Sequence, residues 1–273
     1  MLAAPALQAI AQEMRTAQVE VRQIEPFTSR RSDFDLEAAY AVAQFLHQGR
    51  VAQGMVPIGR KIGFTNPAMW ARYGVREPIW AYVYDTTVSY LPTNHATCTL
   101  NQFAEPKIEP EIVFHLGAAP SVDADLPALL RAIDWVAHGF EIVQSHFPHW
   151  QFQAADTVAD WALHGTLLVG EPVAIAGLGP DPIRALESFV VTLSCDGAVR
   201  ESGTGRNVLT NPLRALAHLL TVLANQPQSR SLHAEEIVTT GTLTTAHTVR
   251  PGETWQTTLQ GIPLPGLTVK FDP

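Results

Sequence analysis

The segment Glu105-Pro-Lys-Ile-Glu-Pro-Glu111 places a charge at every second residue. In an extended chain alternate side chains share a face, so Glu105, Lys107, Glu109 and Glu111 lie together while Ile108, Ile112 and Phe114 point the other way. Same-face neighbours sit about 6.6 Å apart along a strand. Carboxylates at that spacing repel one another unless a hard divalent cation lies between them. An exposed, charged edge strand is the simpler alternative, and Pro106 and Pro110 suit it. A third acid, Glu141, interrupts the apolar run Gly139-Phe-Glu-Ile-Val-Gln144. Burial disfavours a lone carboxylate, so Glu141 needs a partner. Either it joins Glu109 and Glu111 in an oxygen-rich site for Mg²⁺ or Mn²⁺, or it pairs with Lys107 or an arginine.

Other residues offer chemistry with less focus. Arg60 and Lys61 are adjacent cations, and on a strand they face opposite sides, so one can turn inward while the other is solvated. An inward Lys61 could hold a substrate carboxylate, or act as a base if its pKa is lowered; two solvated cations is the plain alternative. His146-Phe-Pro-His149 suggests zinc, but Pro148 opposes a helix that would align both rings, which favours ordinary loop histidines. Asp156-Thr-Val-Ala-Asp160 reads as a capped helix start or as an acidic wall of the site. Glycines in Gly203-Thr-Gly205 and Thr240-Gly241-Thr242 could present backbone N–H groups to a carboxylate, or simply make tight turns. No phosphate-loop, GxSxG or HExxH pattern is present.

These residues need a scaffold. Residues 1–55 read as a helical N-terminal region, with Ser32 and Asp35 forming a capping box before Leu36, Ala39, Tyr40, Ala43 and Leu46, and Gly54 as the stop. Residues 56–273 read mainly as short strands: 56–62, 80–84, 88–91, 106–116, 138–144, 167–175, 236–240, 254–259 and 267–271. A hairpin through Asp196-Gly197 suits a type I′ turn. Helices are expected at 67–73, 126–136 and after Asn211-Pro212. Clustered strands with helical excursions predict an α+β fold on a curled, mixed or mostly antiparallel sheet.

Composition bounds the rest. The 273 residues are 46% hydrophobic and 16% charged, enough for a large core, and the net charge of −8 argues against nucleic-acid or anionic-membrane binding. Cys98 and Cys195, the two cysteines, have no CxxC spacing, which fits a reducing cytoplasm. Residues 1–17 read as an amphipathic helix rather than a signal peptide, and no apolar run approaches a membrane span.

Together, Gly59-Arg-Lys-Ile-Gly-Phe-Thr65, Glu105–Ile112, Phe140-Glu-Ile-Val143, Asp156–Asp160 and Thr239-Thr-Gly241 resemble, in order, the fumarylacetoacetate hydrolase superfamily. More narrowly they are similar to its 2-keto-4-pentenoate hydratase and 4-oxalocrotonate decarboxylase branch. The resemblance spans roughly 35–271. It implies a β-roll catalytic domain, a homo-oligomer, and Mg²⁺ or Mn²⁺ on Glu109, Glu111 and Glu141. It also implies catalytic roles for Lys61, Asp85 and Asp160, and substrate contacts from Lys61, Phe64, Trp80, Trp161, Leu163, Thr240 and Gly241. Trp70 and Tyr73 are further candidates for the pocket wall. The chain departs from the branch in two places. Ala159-Asp-Trp-Ala-Leu163 stands where relatives often read Ala-Asp-Asn-Ala-Ser, and His146 stands where arginine is common. The apolar replacements favour a substrate with a neutral distal end. The implied activity is therefore hydration of a 2-hydroxydienoate or 2-oxo-enoate, with decarboxylation of a 2-oxo-3-enedioate, C–C bond hydrolysis, and a catalytically weak partner subunit as alternatives.

Overall fold

Ten residues, Lys107–Leu116, form the strand on which the molecule is built, and their apolar and acidic side chains alternate as the sequence predicts. The computed structural model describes residues 2–67, 70–73, 75, 77–226 and 229–272, the side chains of Arg72 and Tyr73 excepted. In order the elements are α1 (Ala4–Val19), α2 (Phe27–Arg30), α3 (Leu36–Ala52), β1 (Pro57–Gly63), α4 (Trp70–Tyr73), β2 (Ile79–Tyr84), β3 (Val88–Tyr90), β4 (His95–Cys98) and β5 (Lys107–Leu116). There follow α5 (Leu126–Ala132), β6 (Ile133–Val143), α6 (Ala154–Ala159), β7 (His164–Val169), β8 (Val173–Ala174), α7 (Pro182–Ser188), β9 (Val190–Cys195) and β10 (Ala198–Thr204). The chain closes with α8 (Pro212–Asn225), β11 (Ile237–Thr242), β12 (His247–Thr248), β13 (Thr254–Gln260) and β14 (Thr268–Phe271).

The larger sheet runs β2-β1-β11-β5-β6-β7-β3, with β12 joined to β5 and β8 to β6; the smaller runs β10-β9-β13-β14-β4. Parallel pairs (β1–β11, β3–β7, β14–β4) among antiparallel ones make both sheets mixed. This is the curled α+β architecture that the sequence predicts. Ile108, Phe140 and Ile142 of the larger sheet meet Leu193, Trp255, Val269 and Phe271 of the smaller in one core. On another side, the α8 stripe of Leu213, Leu216, Leu219, Leu220 and Leu223 covers Ile112, Phe114, Val136 and Val238. The α8 cap, Asn211, accepts from the Leu213 N–H at 2.9 Å, and Pro212 supplies the preset first turn.

Helices α1 and α3 bury Leu7, Ile10, Met14, Ala39 and Val42 with Ile79, Ala81, Phe147 and Val158. The helical segment expected over 1–55 thus shares a core with the strands that follow it. Its α3 cap is Asp35 itself, whose side chain accepts from the Ala38 N–H, and not Ser32. Gly54 ends the helix at φ +91°, a conformation glycine adopts without Cβ strain. The helix expected over 126–136 stops at Ala132, because Ile133 and Trp135 pair with Leu116 and His115 as β6 begins. Asp196 and Gly197 both take positive φ between β9 and β10, as a type I′ turn requires.

Candidate metal centre

Strand pairing brings the three glutamates together. Glu109 of β5 lies directly opposite Glu141 of β6, and Glu111 follows two residues along the same face. One carboxylate oxygen from each lies within 4.8 Å of the others. Lys61 reaches this cluster from β1, which pairs with β11 so that Lys61 and Thr239 are in register. Its Nζ donates to Glu141 Oε1 at 2.8 Å.

Each carboxylate is held differently. Glu141 Oε1 accepts from Lys61 and also from His164 Nδ1, at 2.7 Å, while Oε2 meets no donor among the described residues. Glu111 Oε2 accepts from the Thr239 hydroxyl and from the Gly241 N–H. Burial pushes the Glu109 carboxyl up to about 7, with the Glu141 charge adding to the rise. Glu111 is raised well above the ordinary carboxylate range, first by burial and then by its two acidic neighbours. Burial would raise Glu141 as well, but the Lys61 charge and the His164 hydrogen bond hold it below its usual value. Burial pulls Lys61 down, yet the three glutamates more than offset it, so Lys61 is a charged donor and not a free base.

A hard divalent cation fits this donor set. Three carboxylates against one ammonium make a formal −2 when all are ionised, and burial first, with mutual repulsion adding to it, raises two of the three groups. An all-oxygen set matches Mg²⁺ or Mn²⁺ better than zinc. The geometry also leaves Glu141 Oε2 without a protein donor, as a ligand atom requires.

An adjoining cavity is lined both by polar residues, Lys61, Glu109, Thr65, Asn66, Thr242 and Thr244 among them, and by apolar ones, including Phe64, Ile79, Val143, Phe152 and Leu163. Among the described residues lining it, Lys61 is the one cation. Phe64 turns the chain at φ +56° just after β1. Leu163 ends a run of three left-handed residues, Trp161, Ala162 and Leu163, at φ 57°, 48° and 63°. Each such non-glycine residue costs about 1–2 kcal/mol, so the turn needs support. Asp160 supplies it: its backbone oxygen accepts from the Leu163 N–H, and its carboxylate accepts from His146 N, His146 Nδ1 and Gln18 Nε2.

Several expected site residues serve other purposes. Asp160 is 1% exposed and tied to His146 and Gln18, so it braces the turn and does not line the cavity. Asp85 is exposed, and its carboxylate accepts from the Val56 N–H. Trp80 lies on the opposite face of β2 from the cavity-lining Ile79, stacked on Tyr40, with Nε1 donating to Gln226. Trp161 turns away from the cavity, under the Arg50 guanidinium at 3.7 Å, and donates to the Tyr82 carbonyl. Thr240 points off the site and donates to the Ile112 carbonyl, so Thr239 takes the role beside Glu111. Phe64, Leu163 and Gly241 do line the cavity. Trp70 Nε1 donates to the Phe64 carbonyl, and the Tyr73 side chain lies outside the described residues.

The remaining sequence candidates also resolve. Arg60 is not solvated: it is 2% exposed, paired with Glu236 at 2.7 Å and stacked on Tyr82. His146 is buried against Asp160 while His149 is exposed, and neither joins the acidic cluster. Asp156 accepts from Gln153 N and Thr28, as a helix cap and not as an acidic wall. Glu105 precedes β5 in a left-handed conformation and accepts from the His149 N–H, off the ligand face.

Sequence reasoning missed His164, Thr239 and Thr65. Thr239 was legible in principle, being two residues before Gly241 on a strand.

Residues 72–269 match the fumarylacetoacetate (FAA) hydrolase C-terminal family. A 2-keto-4-pentenoate hydratase of Paraburkholderia xenovorans is 30% identical over 256 residues, covering 92% of this chain and 90% of that protein. A 4-oxalocrotonate decarboxylase of Pseudomonas sp. strain CF600 is 28% identical over 257 residues, covering 93% of each chain. Among solved structures, 4-oxalocrotonate decarboxylase from Pseudomonas putida G7, complexed with magnesium and adipate, superimposes with a TM-score of 0.90 at 25% identity, covering 99% of both chains.

Proposed function

The chain belongs to the fumarylacetoacetate hydrolase family, and from that premise we propose that it is a divalent-metal-dependent lyase that hydrates a 2-hydroxydienoate or 2-oxo-enoate. The observation that carries this reading is the Glu141 carboxylate, with one oxygen held by Lys61 and His164 and the other meeting no donor among the described residues, in a cluster with Glu109 and Glu111. Glu109, Glu111 and Glu141 would hold the cation, Mg²⁺ or Mn²⁺. When bound, such a cation supplies a Lewis-acidic charge that stabilises negative charge developing on a 2-oxo acid.

The chain's own groups do the rest. Lys61 lies beside the cluster and offers an ammonium to the substrate's carboxylate or enol oxygen. His164 and Lys61 orient Glu141, while Thr239 and Gly241 orient Glu111; fixed ligands lose no freedom when the substrate arrives. The apolar lining residues Phe64, Ile79, Val143, Phe152 and Leu163 would exclude water from the substrate's tail and suit an uncharged one. This favours hydration over decarboxylation of a diacid.

Decarboxylation is the second reading, supported by the 0.90 superposition on 4-oxalocrotonate decarboxylase. Incubating the Mg²⁺-loaded protein with 2-hydroxypenta-2,4-dienoate and, separately, 2-oxo-3-hexenedioate distinguishes the two. Loss of the diene absorbance without gas from the diacid is expected. Rapid CO₂ release from the diacid would replace hydratase by decarboxylase, and turnover unaffected by chelator would reject the metal assignment.

A further inference from the structure

Thr65 carries a buried hydroxyl that no described residue satisfies. The residue is 2% exposed, and Oγ1 finds no hydrogen-bond partner among the described residues. It lines the cavity, as do Lys61, Asn66 and Thr242. Most buried hydroxyls are paired, because leaving one unpaired costs about 1–3 kcal/mol.

Its position is tightly set. Phe64 reverses the chain at φ +56° after β1, and the Thr65 carbonyl is pinned by the Leu209 N–H at 2.9 Å. Thr65 Oγ1 then lies against Gly241, so closely that a Cβ there would come within 1.9 Å of it. Gly241 is the same residue whose N–H supports Glu111. The hydroxyl is therefore held between the lysine strand and the acidic cluster, in a residue that lines the cavity.

We propose that Thr65 is a substrate-binding residue whose hydroxyl donates a hydrogen bond to the carboxylate of the bound 2-oxo acid. The proposal rests on the 2-oxo-acid reading above. A carboxylate only accepts hydrogen bonds, so it needs donors, and a hydroxyl can rotate to supply one. Lys61 gives the charge; Thr65 gives a neutral donor four residues further along the chain. The pairing binds the carboxylate end without an arginine fork.

Oxalate, a small dianion that mimics the 2-oxo acid end, tests this by calorimetry on the full chain with saturating Mg²⁺. T65V, nearly isosteric, is expected to weaken oxalate about ten- to a hundredfold, the loss typical of one hydrogen bond to a charged group. T65S should restore affinity to within about threefold, and Mg²⁺ affinity measured without oxalate should be the same in all three proteins. T65V should melt no lower than the unsubstituted protein, since the substitution removes an unmatched polar atom. Equal oxalate binding by T65V and the unsubstituted protein overturns the Thr65 assignment alone. So does a parallel loss of Mg²⁺ affinity or a lower melting point in T65V, either of which marks the hydroxyl as structural. Failure of the unsubstituted, Mg²⁺-loaded protein to bind oxalate defeats the 2-oxo-acid reading and this proposal with it.

Discussion

Lys61 Nζ and Glu141 Oε1 stand 2.8 Å apart, with both side chains all but sealed from solvent. The pair sits inside a cluster of like charge, so it links stability to metal binding. Replacing Lys61 by methionine leaves three buried carboxylates without their one ammonium. Breaking a buried pair this way costs about 3–5 kcal/mol. The metal-free K61M protein should therefore melt well below the unsubstituted one, and Mg²⁺ should raise its melting temperature by a larger increment. Thermal scans with and without Mg²⁺ measure both, and an equal increment in the two proteins would contradict the proposed proximity of cation and lysine. Turnover by K61M should be lost.

Glu109 is expected to behave in the opposite sense. Its carboxyl is raised to about 7 by burial and by the charge of Glu141, so E109Q removes repulsion from the metal-free fold. The variant should melt at the same temperature or higher, while its Mg²⁺ affinity falls by roughly a hundredfold, the upper range for disturbing a metal site. Calorimetric titration with Mg²⁺ decides it. Undiminished affinity would remove Glu109 from the ligand set.

The smaller sheet braces the cavity of the larger one. A register shift in β10 between Val199 and Glu201 breaks the strand's regular pairing next to Glu201. The Glu201 carboxylate accepts from Thr245 N at 3.1 Å, from the Thr245 hydroxyl at 2.5 Å and from His247 Nε2 at 2.8 Å. Thr245 lines the cavity. E201Q puts an amide N–H against donors, so the loop should loosen. KM should rise about tenfold with kcat changed less than threefold, on the scale of one charge-assisted hydrogen bond. Steady-state kinetics check this, and an unchanged KM would show that the loop holds without Glu201.

His138 makes the fold sensitive to acid. Nδ1–H donates to the Glu111 carbonyl, and Nε2 accepts from the Thr257 hydroxyl, which itself accepts from the Leu267 N–H. The ring is thereby kept neutral, and burial lowers its pKa from 6.5 to about 4. Because the unfolded chain takes up a proton first, stability is complete above pH 6.5 and declines as the pH falls towards 4. His47, also lowered to about 4 by burial and nearby arginines, adds a loss of the same sign. Urea unfolding at pH 7.5 and 5 should show H138Q losing roughly 2 kcal/mol less than the unsubstituted protein between the two conditions. Identical losses would contradict the assignment.

The strand and its charged face were legible because the signal is local: alternation in Lys107–Leu116 needs no partner to be read. Glu141 was legible for a related reason, since one acid in an apolar strand must be matched by something. His164 was not, because its part depends on how β7 registers against β6 after a left-handed turn, and no short-range pattern encodes that. Trp80 and Trp161 misled because bulk alone does not tell which face a side chain takes. Trp80 is one residue out of phase with Ile79 on β2, and the backbone of Trp161 is left-handed. Arg60 looked solvated because an adjacent pair of cations is usually a surface feature, whereas Tyr82 and Glu236 together enclose it.

The pairing of Lys61 with Thr239 has a consequence for how the protein is born. On the ribosome, Lys61 emerges long before Thr239, and the strand that holds Glu111 in place cannot dock until β11 has been made. No shorter nascent chain can assemble this cluster around its lysine and threonine together. Long-range closure of this kind slows folding, but it also means that a truncated product lacks a complete centre. The cluster cannot close until Thr239 and Gly241 have been added.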